Sequence, residues 1–460
     1  MSHRPLVIVS NRGPVGHRFG DDGKPVPTPP AGGLATGLRP LLEEGTTWVA
    51  AAVSDADRAA VRDGGGRVEA DGLAVRMLTF DPGMYRMAYD VVANASLWFL
   101  HHGLWDLPRR PAFDRYWFEA WEAFRAYNTA FAEVVAETAP GDAVVLVQDY
   151  HLPLVAEPLR RMRPALATVH FSHTPFAGAE GILALPTEPA HELLGSMAQF
   201  DACGFHTARW AERFAAACAE LDVGPPATFA APLAPDVAGL QEVAAGAACD
   251  ERLVELESIL GDRAAIVRVD RLELSKNVLR GFLAYEALLE RREDLRDRVV
   301  FVASLYPSRE GVLDYLAYEQ EVRGLARRIN SRFGSSSWEP IVLDIGDDFP
   351  RSVAALRRYD VLLVNPLRDG LNLVAHEGPA VNERAGVVCL SREAGAFERL
   401  APAVEAVHPF DVTQTAEALE RALAIGPEQR RARAQELSHL IAAWTPRHWL
   451  DANLAAVPAP

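Results

Sequence analysis

The sequence is poor in cysteine. Only four of its 460 residues are cysteines, and they are widely scattered, without paired spacing: Cys203, Cys218, Cys249 and Cys389. Paired spacing is what a disulfide framework or a structural zinc site requires. We therefore expect neither disulfide bonds nor a bound metal.

Positive charge is also scarce relative to negative charge. The chain carries 46 lysines and arginines against 62 aspartates and glutamates, a formal net charge of −16. Nucleic acids and anionic membranes attract basic surfaces, so this balance argues against a general affinity for either. Any anionic ligand must then be held by a local group of arginines and lysines.

Long apolar runs are absent as well. No stretch approaches the length needed to span a bilayer, and the first apolar run, Leu6–Ser10, is far too short for the apolar region of a signal peptide. We expect a soluble cytoplasmic protein. Homo-oligomers are common among such proteins, so a dimer or tetramer is compatible with the sequence.

What the sequence does contain is a regular alternation of short β-branched runs with helical patterns. That alternation predicts an α/β fold, built of parallel sheets with helices on both faces. The predicted strands are Leu6–Ser10, Ala143–Gln148, Ala167–Phe171, Ala265–Val269, Val299–Ala303, Ile341–Asp344, Val361–Val364 and Val387–Leu390.

The segment Asp222–Asp236 is rich in proline and alanine and separates two series of these patterns. It predicts a boundary between an N-terminal domain, residues 1–230, and a C-terminal domain, residues 231–440. Residues 441–460 form a helical segment, bent near Pro446, that can cross back to the first domain. We expect two Rossmann-like, doubly wound parallel-sheet domains that face each other across a cleft.

An aromatic stripe marks the helix predicted for about Asp114–Thr138. Trp117, Trp121 and Phe124 fall at helical spacing, and Phe131 follows one heptad after Phe124. Such spacing is typical of a face buried in the core rather than of a ligand platform.

The stretch Asp369-Gly-Leu-Asn-Leu-Val-Ala-His-Glu377 follows the predicted strand Val361–Val364. A strand, a glycine-containing turn and a helix start form the geometry that directs free backbone N–H groups at a bound phosphate. Glu377 would lie one or two turns into that helix, where a carboxylate can accept hydrogen bonds from the two hydroxyls of a ribose. By spacing alone, an ordinary strand-to-helix turn fits equally well.

A second cluster runs off the end of the predicted strand Ala265–Val269. There the sequence sets Arg271 and Lys276 five residues apart in a loop. Two cations can neutralise the diphosphate that leaves when a sugar nucleotide is cleaved, and stabilising such developing charge is usually a large catalytic contribution. An isolated arginine and lysine at this spacing are more often solvated surface charges.

Further strand ends carry polar residues. Ser10-Asn-Arg12 ends the first strand, and a long loop leads to Ala31-Gly-Gly-Leu34, where the backbone could approach a diphosphate closely or form a plain turn. Gln148-Asp-Tyr-His151 and Val169-His-Phe-Ser-His-Thr-Pro-Phe176 each follow an apolar strand. No carboxylate or cysteine close by in the sequence completes a metal site with these histidines.

Together these stretches resemble the trehalose-6-phosphate synthases, a family of retaining glycosyltransferases of GT-B architecture. The resemblance covers about Leu6–Phe410, and it is specific because the motifs occur in this order and spacing. They are Ser10-Asn-Arg12, Ala31-Gly-Gly-Leu34, Asn94-Ala-Ser-Leu-Trp98, Asp149-Tyr-His151, His173-Thr-Pro-Phe176, Asp270-Arg-Leu-Glu-Leu-Ser-Lys276 and Pro366-Leu-Arg-Asp-Gly-Leu-Asn-Leu-Val-Ala-His-Glu377.

The resemblance implies an enzyme that transfers glucose, with retention, from a nucleotide-glucose to glucose 6-phosphate, giving α,α-trehalose 6-phosphate. Residues 1–230 would then be the acceptor domain and residues 231–440 the donor domain. No metal or other cofactor is implied, because the cations take the metal's place at the diphosphate. The implied partners are the two substrates, with no nucleic acid and no membrane.

Carried over position by position, the family pattern implies two binding sites. The acceptor sugar phosphate would be held by Arg12, Tyr89, Trp98, Asp149 and Arg309. The donor would be held by Gly33, His173, Arg271, Lys276, Asp369, Leu373, Val374 and Glu377. The residues implied in catalysis are Arg271, Lys276, Asp149, His173 and Asp369.

In that pattern the two cations bind the diphosphate oxygens, Glu377 binds the ribose, and His173 and Asp369 hold glucose hydroxyls. Gly33 and the backbone at Leu373 and Val374 surround the diphosphate.

The implied mechanism differs from that of a retaining glycosidase, in which two carboxylates flank the bond and one acts as the nucleophile. No clear nucleophile is evident in the sequence. Similarity to the family instead implies a same-face substitution, in which the leaving diphosphate helps to draw the proton from the acceptor hydroxyl.

Three positions depart from the family pattern. The chain reads Trp48-Val-Ala-Ala51 where a second tryptophan is common, Asn277 where glycine is usual, and Ala177 after Phe176 where proline is usual. These differences leave open a related activity, that of a pseudo-glycosyltransferase coupling a nucleotide-cyclitol to an aminocyclitol phosphate.

A catalytically silent regulatory homologue is a third alternative. Loss of Arg271, Lys276 or Glu377 would have favoured it, and all three are present.

The base of the donor nucleotide is the least determined feature. We assign its contacts to a loop at Asp344–Arg351, in which Asp347 or Asp348 could accept hydrogen bonds from the ring N–H and the amino group of guanine. Uracil offers a single ring donor. This argument favours GDP-glucose over UDP-glucose.

Overall fold

The computed structural model describes residues 4–28, 37–38, 41–70, 72–309 and 311–458. The chain divides into two compact units: the first is Met1–Leu233 with Pro446–Pro460, and the second is Ala234–Thr445. The division falls inside the proline-rich segment Asp222–Asp236.

The strands of the first unit are β1 (Leu6–Val9), β2 (Gly16–Phe19), β3 (Pro25–Thr28), β4 (Thr47–Ala51), β5 (Arg67–Ala70), β6 (Leu73–Leu78), β7 (Val144–Gln148), β8 (Ala167–Ser172), β9 (Ala202–Phe205) and β10 (Ala227–Ala230). Within the described residues, eight of them form one sheet in the order β10-β9-β8-β7-β1-β4-β6-β5. Its pairs are parallel except β5 with β6. β2 and β3 pair as a separate antiparallel hairpin.

The helices of the first unit include a long aromatic one that packs into the core. They are α1 (Asp55–Asp63), α2 (Pro82–Arg86), a π-helix (Met87–Leu97), α3 (Trp98–His102), α4 (Arg115–Thr138), α5 (Ala156–Met162), α6 (Ala179–Ile182), α7 (Thr187–Met197) and α8 (Ala208–Glu220). Asp114 caps α4 by accepting a hydrogen bond from the backbone N–H of Trp117 at 2.9 Å. The predicted aromatic stripe is confirmed as core, with Trp117, Trp121, Phe124 and Phe131 all at most 5% exposed.

The strands of the second unit are β11 (Ala264–Arg271), β12 (Val299–Tyr306), β13 (Ile341–Ile345), β14 (Val361–Val364), β15 (Val387–Ser391) and β16 (Glu405–Val407). They form a wholly parallel sheet in the order β13-β12-β11-β14-β15-β16. The helices are α9 (Val237–Ala244), α10 (Ala247–Leu260), α11 (Val278–Arg291), α12 (Leu313–Phe333), α13 (Phe349–Arg358), α14 (Val374–Val381), α15 (Phe397–Leu400), α16 (Val412–Ala424) and α17 (Pro427–Ala442), with short 3-10 turns at Leu274–Lys276, Glu293–Leu295 and Ala401–Ala403.

Both sheets reverse their strand order at one point. In the first unit successive strands run outward from β1 on one side and from β7 on the other, and in the second unit the reversal lies between β11 and β14. Ligands of such sheets bind beyond the carboxyl ends of the strands at this point. The loops after β1, β7, β11 and β14 are therefore where function is expected.

The last helix, α18 (Pro446–Ala455), belongs to the first unit rather than to the second. Its Trp449 is fully buried and packs edge-on against Phe171 of β8, with ring centroids 5.1 Å apart. The break between α17 and α18 falls at residues 443–445, directly before Pro446.

The eight predicted strands are all present, several of them longer than predicted. Sequence patterns missed the strands β2, β3, β4, β5, β6, β9, β10 and β16. Most of these are short or poor in β-branched residues, so neighbouring strands rather than local propensity define them. β10 lies inside Asp222–Asp236, which we had interpreted as a linker; it pairs only at the edge of the sheet, where the surrounding prolines are tolerated.

The bounds of the predicted loop Asp344–Arg351 are wrong, because the loop is confined to residues 346–348. Asp344 belongs to β13, and Arg351 lies in the first turn of α13. Asp348 is the N-cap of α13, since its Oδ1 accepts a hydrogen bond from the Arg351 backbone N–H at 3.0 Å. Among the described residues, no helix is both long enough and apolar enough to cross a bilayer.

Candidate functional site

In the second unit, the carboxyl end of β11 positions Arg271 and Lys276. Arg271 is the last residue of the strand, and Lys276 ends the 3-10 turn that follows. The side chain of Arg271 is 37% exposed and that of Lys276 is 12% exposed. Two cations thus follow the central strand at the point where the strand order reverses.

Between them lies Glu273, which the sequence motifs did not single out. Its side chain is fully buried, and its Oε1 lies 2.9 Å from Nη1 of Arg271. The same oxygen accepts hydrogen bonds from Arg309 and, at 2.8 Å, from the hydroxyl of Ser308. Burial acts to raise the pKa of Glu273, but the charges of Arg271, Arg309 and Lys276 outweigh it and lower the pKa to about 2. Glu273 is therefore an ionised carboxylate shared by two arginines.

Lys276 pairs with Asp369, which follows β14. The distance from Nζ to Oδ2 is 2.6 Å, and both side chains are largely buried. Burial disfavours the charged form of Lys276, yet the carboxylates of Asp369 and Asp270 outweigh it and raise the pKa of the lysine. The ion pair joins the turns that follow β11 and β14.

The buried side chain of Arg268 holds the turn after β11 through hydrogen bonds. Its Nη2 donates hydrogen bonds to Oδ2 of Asp270 at 2.8 Å and to the backbone carbonyl of Lys276 at 2.7 Å. Gly281 on α11 leaves room for this guanidinium, since a Cβ at that position would approach Nη1 of Arg268 to 2.7 Å. The position of Lys276 thus depends on a residue that does not reach the surface.

Asn277, where the family usually has glycine, adopts the left-handed conformation with φ of 59°. Glycine favours this region, and asparagine is among the few other residues that enter it readily. The Asn277 side chain donates hydrogen bonds to the carbonyls of Asn365 at 3.0 Å and Pro409 at 2.7 Å. This departure therefore preserves the turn and adds two hydrogen bonds.

The turn after β14 leads into α14. Asn372, with φ of 76°, donates a side-chain hydrogen bond to Oδ2 of Asp369 at 3.2 Å. Leu373 is the N-cap of α14 and makes no side-chain capping bond, and Val374 is the first helical residue. Such an N-terminus can present backbone N–H groups to an anion. Glu377 lies one turn into the helix, where burial raises its pKa to about 7 against the opposing effect of Lys276.

In the first unit, the loop after β1 is held by neutral hydrogen bonds. The Ser10 hydroxyl donates to the backbone carbonyl of Arg12 at 2.6 Å and accepts from the indole N–H of Trp48 at 2.8 Å. The Asn11 side-chain oxygen accepts from the hydroxyl of Tyr127 at 2.6 Å. These contacts fix the backbone of a loop on which the Arg12 side chain is exposed. Ala51, at the end of β4, offers no aromatic ring in place of the family's second tryptophan.

Tyr89 and Trp98 lie on a continuous helical run that includes the π-helix Met87–Leu97. π-helical turns are rare and are frequently found at functional sites. Tyr89 lies in this π-helix and stacks on the rings of Tyr85 and His151, at centroid distances of 5.2 and 5.5 Å.

Trp98 directly follows the π-helix and is 6% exposed. Its ring stacks on His102 at a centroid distance of 3.8 Å and packs against Tyr150 at 5.4 Å. Tyr150 is itself fixed by a hydrogen bond from its hydroxyl to the Asn94 side chain at 2.9 Å. Aromatic rings thus connect the π-helix to the loop after β7.

Asp149 directly follows β7 in a left-handed conformation, with φ of 71°. Its Oδ1 accepts a hydrogen bond from the backbone N–H of His173 at 3.1 Å, and its carbonyl oxygen lies 3.1 Å from Nε2 of His170. Non-glycine residues in this conformation are uncommon and cluster at functional sites.

His173 follows β8, and its Nε2 lies 2.9 Å from Oε1 of Gln148. Burial lowers the pKa of His173 well below its ordinary value, with a further contribution from His206 and His170. The imidazole is therefore neutral at pH 7. A neutral ring that donates through Nε2 leaves Nδ1 as an acceptor for a hydroxyl.

Ala177, where the family usually has proline, uses its backbone N–H to donate a hydrogen bond to Nδ1 of His101 at 3.1 Å. Proline has no N–H and could not make this bond. Alanine at this position therefore lacks the rigidity of proline but gains a backbone hydrogen bond.

The structure brings the predicted site residues together in two groups. Arg271, Lys276, Asp369 and Arg309 are linked in the second unit, and Asp149 contacts His173 in the first. Arg309 was assigned to the acceptor with four residues of the first unit, and its direct ionic partner is Glu273 of the second. Gly33 and its neighbours Ala31–Leu34 lie outside the described residues.

Glu273, Arg268 and the pair Asn11–Tyr127 are the residues that sequence reasoning missed. Glu273 and Arg268 do stand beside the cations of the motif, and a charged residue within or next to an apolar strand is a signal of a buried ion pair. The Asn11–Tyr127 contact spans 116 residues and has no local signal.

A sequence model of glycosyltransferase family 20 matches residues 4–457. The chain belongs to glycosyltransferase family 20. It is accordingly a retaining glycosyltransferase, and the resemblance drawn from the motifs is confirmed.

Curated relatives of this family-20 chain are similar over almost all of its length. The trehalose-6-phosphate synthase of Mycolicibacterium smegmatis is 33% identical over 484 residues, which cover 98% of this chain and 92% of that protein. A probable α,α-trehalose-phosphate synthase 2 (UDP-forming) of Arabidopsis thaliana is 31% identical over 475 residues, which cover 96% of this chain and 56% of that protein.

Solved structures give the same fold. A UDP-forming α,α-trehalose-phosphate synthase of Burkholderia xenovorans in complex with glucose 6-phosphate is 28% identical, with a TM-score of 0.84 over 98% of this chain and 99% of that one. An E. coli structure described as bound with UDP-2-fluoro glucose is 28% identical, with a TM-score of 0.85 over 98% of both chains. The α/β fold class with two Rossmann-like units, typical of GT-B enzymes, is confirmed.

Proposed function

We propose that this protein is an α,α-trehalose-6-phosphate synthase that transfers glucose, with retention, from UDP-glucose to glucose 6-phosphate. The observation that carries the proposal is the cluster of Arg271, Lys276, Asp369 and Arg309 at the carboxyl ends of the adjacent strands β12, β11 and β14. Its cations suit a leaving diphosphate and a phosphorylated acceptor, and relatives that are similar over almost the whole chain bear this name.

On the donor side, Arg271 and Lys276 bind the diphosphate oxygens, together with the backbone at Leu373 and Val374. The Lys276–Asp369 pair sets the lysine in place before the donor arrives, so little reorganisation is needed when charge develops. Gly33 remains part of the proposed donor site on the ground of the family pattern alone.

The ribose and the transferred sugar are held by other proposed donor residues. Glu377 accepts hydrogen bonds from the ribose hydroxyls. His173 and Asp369 hold glucose hydroxyls, and the neutral imidazole of His173 suits an uncharged partner.

On the acceptor side, Arg12 and Arg309 bind the phosphate, Tyr89 and Trp98 contact the sugar, and Asp149 lies near the reacting hydroxyl. Guanidinium groups match phosphate geometry bidentately. The aromatic surface around Tyr89 offers a flat apolar face to a sugar ring.

The reaction we propose breaks the bond between the glucose anomeric carbon and the diphosphate and forms a bond from the same carbon to the acceptor hydroxyl. The hydroxyl proton passes to the departing diphosphate on the same face. Arg271 and Lys276 stabilise the charge that develops there and would make a metal unnecessary.

We correct the earlier preference for GDP-glucose. The α,α-trehalose-phosphate synthases of Arabidopsis thaliana and Burkholderia xenovorans described above are named UDP-forming. In this chain Asp348 caps α13 and lies 2.9 Å from Nε of Arg252, so its carboxylate already has partners and is a poor candidate for reading guanine. The names of the relatives favour UDP, and the contacts of Asp348 weaken one of the two carboxylates, Asp347 and Asp348, on which the preference for GDP was based.

The test is to incubate the protein with glucose 6-phosphate and either UDP-glucose or GDP-glucose, with and without a chelator. We expect a non-reducing disaccharide phosphate with UDP-glucose, and equal activity with the chelator. A higher kcat/KM with GDP-glucose would reverse the base assignment. Absence of product with every nucleotide-glucose would favour the cyclitol-coupling alternative, or the silent homologue if nucleotide-cyclitols also fail.

A further inference from the structure

Glu273 is a fully buried charge in the ionic cluster of the second unit, which consists of Glu273 with Arg271, Lys276, Arg309 and Asp369. Its side chain is 0% exposed, while those of its partners Arg309 and Arg271 are 7% and 37% exposed. Two hydroxyls complete its surroundings, with Ser308 at 2.8 Å from Oε1 and Ser275 at 3.4 Å from Oε2. All four of these partners, Arg309, Arg271, Ser308 and Ser275, are hydrogen-bond donors.

A carboxylate without solvent is costly unless charged partners compensate for its lost hydration. Here the compensation comes from two arginines that converge on one oxygen: Arg271 ends β11, and Arg309 follows the neighbouring strand β12. Because one oxygen receives both guanidinium groups, their positions are correlated. The shared contact therefore restrains the direction in which each guanidinium points.

We propose that Glu273 is a positioning residue that holds Arg271 and Arg309 in the orientation that receives phosphate oxygens. Glu273 does not contact substrate; it acts through the two arginines. This role rests on the proposed function, because Arg271 is there assigned to the leaving diphosphate and Arg309 to the acceptor phosphate.

The Glu273→Gln variant tests the role, because it keeps the size of the side chain and removes its charge. We expect the affinity for UDP, measured by isothermal titration, to fall about tenfold, as for the loss of one charge-assisted hydrogen bond. The affinity for uridine, which has no phosphate, is expected to stay unchanged. A merely structural defect would weaken both ligands equally.

Glu286 supplies a matched control in the same unit. It also binds two arginines, Arg328 and Arg332, at 2.7 and 2.9 Å, and its side chain is 9% exposed. It lies on α11 and its partners on α12, away from the strand ends. The Glu286→Gln variant is expected to lose stability comparably while binding UDP and uridine as the wild type does.

The Glu273→Asp variant keeps the charge and withdraws the carboxylate by one methylene. We expect its UDP affinity to fall severalfold although the net charge is unchanged. This variant also decides the matter if Glu273→Gln does not fold, because a UDP affinity equal to that of the wild type would show that orientation by Glu273 is not needed.

Other outcomes would overturn the proposal. Tighter UDP binding by Glu273→Gln would mean that the glutamate competes with phosphate for the arginines instead of orienting them. If the wild-type protein bound UDP no better than uridine, it would have no diphosphate site, and Glu273 could not have the proposed positioning role. Failure to form trehalose phosphate despite UDP binding would count against the proposed reaction and not against the role of Glu273.

Discussion

The loops beyond the carboxyl ends of the strands have the same place in the two Rossmann-like units, but different kinds of contact hold them. In the first unit, Asn11 and His173 are fixed by neutral hydrogen bonds to Tyr127 and Gln148. In the second unit, ion pairs such as Lys276–Asp369 fix the corresponding loops. One fold thus provides either a neutral or an ionic surface, depending on which side chains the strand ends carry.

The contrast matches two of the proposed ligands, the acceptor sugar ring at Tyr89 and Trp98 in the first unit and the leaving diphosphate at Arg271 and Lys276 in the second. A sugar ring offers hydroxyls and a flat apolar face, which neutral donors, acceptors and aromatic rings accommodate. A diphosphate offers concentrated negative charge, which only cations can neutralise. The net charge of −16 makes this local concentration of cations necessary.

The largest expected effect is that of Arg271→Ala in the ionic cluster. Removing this cation should lower kcat about 10²–10³-fold, because it stabilises charge on the leaving group. Stability should fall as well, because the buried carboxylate of Glu273 loses one of its two guanidinium partners, so folding of the variant is checked separately by circular dichroism. Arg323→Ala on α12 is the control, because Arg323 is 39% exposed and pairs with Glu319 at 2.8 Å. Activity that survives in Arg271→Ala would show that the ionic cluster is not the donor site.

Gly281→Ala should disturb the same ionic cluster indirectly, by displacing the buried Arg268. The added Cβ would lie 2.7 Å from Nη1 of Arg268, which is held by Asp270 and cannot move freely. We expect a loss of about 1–3 kcal/mol in the free energy of unfolding and weaker UDP binding. Gly324→Ala in α12 meets nothing within 4 Å and should be neutral or slightly stabilising. Equal denaturation midpoints for the two variants would contradict the role of Arg268.

Tyr127→Phe tests the neutral hydrogen bond between Tyr127 and Asn11 in the first unit. It removes the hydroxyl that donates to Asn11 at 2.6 Å, which should cost about 1–2 kcal/mol in the free energy of unfolding. UDP affinity should not change, since the ionic cluster is untouched. Tyr116→Phe, on the same helix but 54% exposed, should have no effect on stability. A loss of UDP binding in Tyr127→Phe would contradict the view that the hydrogen bonds of the first unit and the ionic cluster of the second act independently.

The smallest expected effect is a dependence of donor binding on pH through Glu377, whose pKa burial raises to about 7. Because the ionised carboxylate accepts hydrogen bonds better, UDP affinity should rise severalfold between about pH 6 and about pH 8. The UDP affinity of the wild type is divided by that of Glu377→Gln at each pH. Because the titration of UDP affects both proteins equally, it does not change this ratio. A ratio that is constant with pH would exclude titration of Glu377.

The raised pKa of Glu377 also determines how its contribution to the stability of the fold changes with pH. The folded protein holds this proton to a higher pH than the unfolded chain does, where the ordinary value is 4.5. Its contribution to stability is therefore greatest below about pH 4.5 and is lost as the pH rises through about 7.

Sequence reasoning located the strand ends well because short β-branched runs are local signals. β7, β11 and β14 were all predicted within a few residues of their observed bounds. The site motifs could be found for the same reason, since Arg271 and Lys276 directly follow a predictable strand. The edge strand β10 and the helix cap at Asp348 were missed, because pairing with a neighbour and cap geometry leave weaker traces in composition.

The sequence by itself determined that this protein is an α/β glycosyltransferase with cations at its strand ends, because periodicity, charge and motif order are properties of the linear chain. Only the tertiary structure decided how those cations are held. Lys276 meets Asp369 across 93 residues, and Glu273 joins Arg271 to Arg309, which follows the neighbouring strand β12. Such contacts depend on the order of strands in the sheet, which no local pattern specifies.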